Sequence, residues 1–142
     1  MIKHTKTINI KITVLAAILL FFQAFIGMYS YNDKMSAACL DCSFAFGILI
    51  ESVVYALFML LLTYITTKIN TKNTFKNILL TLGILVFFSL MNNGIFIDRE
   101  ASWSTYTVHT EWYYAYETSY KSMFSFAALF ALSLVLINKR TV

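Results

Sequence analysis

The sequence predicts an all-α integral membrane protein, an antiparallel bundle of four transmembrane helices, and three observations predict it. Of 142 residues, 59% are hydrophobic and 13% charged, with mean hydropathy +0.70, whereas soluble domains carry roughly 25% charged residues. Four apolar runs each approach the roughly 20 residues that a helix needs to cross hydrocarbon. Most basic residues fall in alternate segments between those runs. A closed β-barrel is excluded, because its strands alternate apolar and polar residues. Backbone in hydrocarbon must satisfy its hydrogen bonds internally, so the runs are helices. Proline is absent, glycine occurs four times, and no repeat or low-complexity tract divides the chain. One membrane domain over residues 1–142 is expected.

Span one runs from about Ile12 to Tyr29, with Gln23 as its one strongly polar interruption. Lys3, Lys6 and Lys11 precede it, as in a signal peptide. The apolar run continues through Phe21, Phe22, Phe25 and Ile26, however, and Ser36-Ala37-Ala38 lies too far downstream for cleavage. A retained helix is expected. Span two, about Ser43 to Thr66, follows a Cys39-Leu40-Asp41-Cys42 tetrapeptide. Span three covers about Ile78 to Ile97 and span four about Ser119 to Ile137.

Charge sets the expected orientation. Lys3, Lys6 and Lys11, then Lys68, Lys72 and Lys76, then Lys139 and Arg140 occupy one side with no acid among them. The other side holds Asp33, Asp41, Asp98, Glu100, Glu111 and Glu117 against Lys34, Arg99 and Lys121. The positive-inside rule then places both termini in the cytoplasm. The net charge of +4 is thus a topology signal, and no nucleic-acid partner is expected. The second outer loop, Asp98 to Thr118, is aromatic: Trp103, Tyr106, Trp112, Tyr113, Tyr114 and Tyr116. Such rings favour the headgroup level and form an expected interaction surface. Alternation from Thr105 to Trp112 permits a short extended segment there.

Three constellations carry candidate chemistry. Cys39 and Cys42 sit at a helix start on the expected oxidising side, where a disulfide persists. A helix N-terminus favours the thiolate that attacks in disulfide exchange, while the charge of Asp41 opposes it. A structural disulfide and a redox-active pair both remain open. Glu51 lies about 12 Å below the start of span two at a rise of 1.5 Å per residue. A charged residue at a helix centre costs roughly 2.5–3.5 kcal/mol on insertion scales. Gln23, Ser89, Asn92 and Asn93 fall at comparable depth, and Tyr55 shares the face of Glu51 one turn on. The expectation is an intramembrane polar cluster acting either as interhelical glue or as the lining of a site. His109 and Glu111 would share a face if extended and, with the cysteines, make a zinc-type donor set. His4 lies on the opposite side, and no metal site is expected. No nucleotide-binding, nucleophile-elbow or metalloprotease motif is present.

The Cys39-x-x-Cys42 pair before span two, with four spans and cytoplasmic termini, resembles the quinone-linked disulfide-forming enzymes of the bacterial inner membrane. That likeness implies a redox-active pair and a quinone cofactor. It departs from the family in two places: Asp98 to Thr118 holds no second cysteine pair, and Ser43 to Ile50 holds no arginine. A lone carboxylate in span two, Glu51, followed by a short basic turn, also resembles the DoxX-like four-helix membrane proteins. That family's basic residues around span one are missing.

The leading functional expectation is non-catalytic: an interaction protein, such as an accessory subunit or an immunity or protection factor. It would sit in a bacterial cytoplasmic membrane, surrounded by lipid, and meet a protein partner or a second copy at its outer face. One alternative is a thiol–disulfide oxidoreductase using Cys39 and Cys42. Another is a small transporter or channel subunit using Glu51.

Overall fold

The computed structural model describes the backbone of residues 2–69 and 72–139 and the side chains of residues 9–69 and 72–137. Of the residues that set the expected orientation, Arg140 lies outside the described residues, as do the side chains of Lys3, Lys6 and Lys139. The side chain of His4 lies outside them too. Four long helices follow in order: α1 (Ile2–Gly27), α2 (Phe44–Lys68), α3 (Asn73–Arg99) and α4 (Val108–Lys139). Single 3-10 turns occupy Tyr29–Tyr31 and Ala101–Trp103. Each long helix contains a stretch long and apolar enough to cross a membrane. The 25 residues of α2 span about 38 Å at 1.5 Å each, against roughly 30 Å of hydrocarbon.

Burial follows the helical repeat. Ile12, Ala16, Leu20 and Ala24 of α1 face inward, with Ile48, Ser52, Ala56 and Met59 of α2, Leu80, Ile84 and Phe88 of α3, and Met123, Ala127, Phe130 and Leu134 of α4. The opposite faces are apolar as well. Ile10, Val14, Ile18, Phe22 and Ile26 form an exposed stripe along α1. A water-soluble bundle would carry polar groups there, and a helix apolar all round belongs in lipid. The fold is thus all-helical, with four helices long and apolar enough to span a membrane.

The break from Lys68 to Asn73 is short enough to make α2 and α3 antiparallel neighbours. Packing is most extensive between α1 and α2 and between α3 and α4, and α1 also lies against α4. Small residues permit the α1–α4 approach: a Cβ on Gly27 would sit 3.2 Å from Ser119 Cβ and would overlap Ser122 Oγ.

The fourth helix differs from the expectation. It begins at Val108, well before Ser119, so the predicted aromatic loop is mostly helix and the extended segment is not formed. The reason is local. Thr107 Oγ1 accepts from the Thr110 N–H (3.4 Å), while Thr110 Oγ1 accepts from the Thr107 N–H (2.9 Å). This reciprocal pair is a capping box with threonine in the usual Glu position. Glu111 in the first turn suits the helix dipole. The connection that remains between α3 and α4 is residues 100–107.

Candidate functional site at the cysteine end

Residues 28–43 connect α1 to α2 with little regular structure, so their backbone groups need other partners. The end of α3 supplies them. Asp98 Oδ1 accepts from the Ser36 hydroxyl (3.0 Å) and the Ala38 N–H (2.8 Å), and the Asp98 carbonyl accepts from the Ala37 N–H (2.9 Å). Ser36 Oγ accepts in turn from the Cys39 N–H (3.0 Å). Arg99, only 6% exposed, donates to the carbonyls of Lys34, Asn32 and Cys42. Its guanidinium also lies 5.1 Å from the Phe44 ring centre, and Nε is 4.0 Å from Asp98 Oδ2. Trp103 Nε1 donates to the Met35 carbonyl (3.1 Å), and Lys34 pairs with Glu100.

Within this clamp Cys39 and Cys42 form a disulfide, with Cα atoms 5.3 Å apart. The Cys42 N–H donates to the Cys39 carbonyl (3.1 Å), closing the turn. The Ser43 side chain then caps α2 by accepting from the Phe46 N–H (3.3 Å).

Below the disulfide, between α2 and α3, lies a cavity of about 260 Å³. Cys39, Cys42, Asp98 and Arg99 line it, with Phe44, Ile48 and Ile95 as apolar wall, and Glu51 about 10 Å further along α2. Glycines explain its shape. At the other end of the same helix pair the Leu62 side chain lies in the space over Gly83, so α2 and α3 touch. Here a Cβ on Gly47 would meet nothing within 4 Å, and one on Gly94 would stand 3.8 Å from Glu51 Oε2. The two helices close at one end and part at the other.

The expected polar cluster divides. Glu51 faces this cavity and makes no hydrogen bond among the described residues. Gln23, fully buried, turns to α4 and donates to Ser122 Oγ (3.1 Å). Ser89 and Asn92 line a separate cavity of about 50 Å³ with Trp112 and Ser119. Neither polar atom of the Asn92 amide has a protein partner, nor does Asn93 Oδ1. Tyr55 stacks toward Phe87 (centroids 5.7 Å) and makes no hydrogen bond to Glu51. The apolar spacing puts these groups at one depth, but helix rotation sends them to different neighbours.

The aromatic residues divide too. Tyr106 packs inward on Phe96 at 5.2 Å between centroids, and Tyr114 stacks on the same ring at 6.2 Å while staying 43% exposed. Trp103, Trp112, Tyr113 and Tyr116 remain exposed. His109 and Glu111 sit two residues apart on a helix and so point apart, and the cysteines are consumed in a disulfide. Among the described residues no group of three or more His, Cys, Asp or Glu is placed to hold a metal ion. The decisive residues missed in the sequence are Asp98, Arg99 and Ser36. Their signal was present as an Asp-Arg pair at the end of a span, where charge at a helix terminus has a capping use as well as a topological one.

The geometry defines a class: a bundle of four helices long and apolar enough to span a membrane, one end of which carries a disulfide-stapled cap over a cavity. Among protein-family models, curated proteins and solved structures, none matches the chain. The quinone implied by the first resemblance does not fit the residues present. The second cysteine pair is missing, and the Arg99 N–H groups are turned to backbone carbonyls. No step through a quinone follows.

Proposed function

We propose that this is a non-catalytic interaction protein of a bacterial cytoplasmic membrane, with both termini in the cytoplasm and the cysteine end outside. It engages a protein partner, or a second copy, through the cap. The observation that carries the reading is a pre-organised cap with apolar side chains on its surface. Met35 and Leu40 are each 59% exposed and Trp103 56%, while Arg99 holds the neighbouring Lys34 carbonyl, Asp98 the Ala38 N–H, the disulfide flanks Leu40 and Trp103 Nε1 donates to the Met35 carbonyl. A rigid surface loses little entropy on binding, and Met and Trp are enriched at interfaces. Charge asymmetry along the chain supports the orientation.

A photo-crosslinking residue at Met35 or Leu40 in cells is expected to give a discrete protein adduct, and the same probe at lipid-facing Leu132 is not. Adducts of equal yield at all three positions, or none at the cap, would refute the reading. Reporter fusions at the C-terminus test the orientation; activity of an external reporter there would reverse it.

One observation favours a second reading, thiol–disulfide exchange. The Cys39–Cys42 disulfide is partly exposed in a cavity wall, and the Arg99 guanidinium places positive charge beside Cys42 (3.4 Å to its carbonyl). In that reaction a partner's dithiol becomes a disulfide as Cys39–Cys42 is reduced to two thiols. A Cys42→Ser protein should then accumulate a mixed disulfide with the oxidised partner, as the Cys39 thiolate attacks the partner's disulfide and one partner thiol leaves. Full biological function in the double serine variant excludes this reading.

A further inference from the structure

We propose that the cavity between α2 and α3 is a binding site for a small amphipathic cation, an ammonium group on an apolar body, with Glu51 as its counter-ion. This goes beyond the interaction reading and does not depend on it.

Three features of the cavity select that chemistry. First, Glu51 has no hydrogen-bond partner among the described residues. The carboxylate is half-buried, and a charge partly removed from water gains from a counter-ion; the groups near it on α3 are Gly94 and the aliphatic Ile95. Second, the charges lining the cavity are two carboxylates, Glu51 and Asp98, against one guanidinium, Arg99. Arg99 is committed to three carbonyls and Asp98 to Ser36 and Ala38. The uncommitted charge is therefore negative, which favours cations and disfavours anions. Third, Phe44, Ile48 and Ile95 make the wall apolar, so the cation needs an apolar body rather than a hydration shell.

Size narrows the class further. About 260 Å³ falls below the roughly 300–1,000 Å³ of drug-sized pockets, so a single ring or short chain fits. The space is built in. Gly94 leaves room opposite the carboxylate, and Gly47 leaves the wall open. The same chemistry is offered by a free amine or by the headgroup of an aminophospholipid, and the two can be told apart.

The test uses the full chain in phosphatidylcholine nanodiscs, with benzylammonium as probe and benzyl alcohol and benzoate as neutral and anionic controls, read by calorimetry. Benzylammonium should bind one to one, at least tenfold tighter than benzyl alcohol, and benzoate should not bind. Glu51→Gln should lose roughly ten- to a hundredfold, as expected for a hydrogen bond to a charged group. Gly47→Leu should fill the cavity and abolish binding while thermal stability holds, because nothing lies within 4 Å of the added Cβ. Should that variant fail to fold, Glu51→Gln carries the decision. In nanodiscs containing phosphatidylethanolamine, weakened benzylammonium binding supports a lipid ammonium as occupant, and unchanged binding supports a free amine. Equal binding of amine and alcohol, unaltered affinity in Glu51→Gln, or no amine binding in either lipid overturns the proposal.

Discussion

Replacing Asp98 by alanine should release the segment that carries the disulfide while leaving the bundle folded. The side chain accepts two hydrogen bonds, from the Ser36 hydroxyl and the Ala38 N–H. Hydrogen bonds to charged groups contribute about 1.5–3 kcal/mol each. Asp98 is 26% exposed, and solvent screening lowers each bond to about 1–2 kcal/mol, about 2–4 kcal/mol for the pair. At 1.4 kcal/mol per factor of ten, local opening should become roughly 30- to 700-fold more frequent. The Arg99 and Trp103 contacts and the Ala37 N–H bond to the Asp98 carbonyl survive, which confines the effect to the cap. Amide hydrogen exchange in detergent micelles reads it directly. Ala38 and Cys39 should lose protection by that factor, and amides in the middle of α2 and α4 should not change. Asp98→Asn keeps an acceptor oxygen without the charge and should shift exchange by less than about tenfold. Unchanged protection of Ala38 in Asp98→Ala would show that the clamp does not hold the loop.

Three further outcomes are expected. Gly83→Ala should destabilise by about 0.5–1.5 kcal/mol, the cost of an off-rotamer side chain, because an added Cβ displaces the terminal methyl of Leu62. Gly47→Ala should be neutral or stabilising by about 0.5–1 kcal/mol, and equal thermal shifts for the two would refute the asymmetric opening of α2 and α3. The Cys39→Ser/Cys42→Ser double variant should still fold with a loss of about 2 kcal/mol, the entropy of closing so short a loop; complete unfolding would mean that the disulfide, rather than the α3 clamp, holds the cap. The Tyr106 phenol should titrate above its ordinary value of 10.0, raised first by desolvation and then by the charge and accepted hydrogen bond of Glu100. Since the folded value is raised, this contribution to stability is present below pH 10 and is lost as pH rises through the folded value. Absorbance titration at alkaline pH should lose a component that titrates above the ordinary tyrosine value in Tyr106→Phe, and an unchanged curve would refute the assignment.

The sequence by itself determined the four apolar helices and the way they alternate with basic segments. Both are legible because each is repeated over many residues, an apolar run along a whole helix and a cluster of lysines beyond its end. It also brought the two cysteines within reach, because a spacing of three leaves them little choice. Only the tertiary structure decided which polar groups meet. Gln23, Glu51 and Asn92 share a depth, yet one turns to Ser122, one to the cavity beside Gly94 and one to the small space beside Trp112. Depth depends on rise along one helix, whereas contact depends on the rotation and separation of two, and those are fixed by small residues such as Gly27 and Gly83 whose effect no local pattern displays. The start of α4 lay between these cases. Thr107 and Thr110 carried its capping box, but an alternating run read equally well as strand until the helix hydrogen bonds chose. Asp98 and Arg99 depended most on the fold. In sequence they are two charges beyond a span. They become a clamp only because α2 returns antiparallel to α3 and brings the loop from Ser36 to Cys42 to the one place where unpaired backbone needs an aspartate and an arginine.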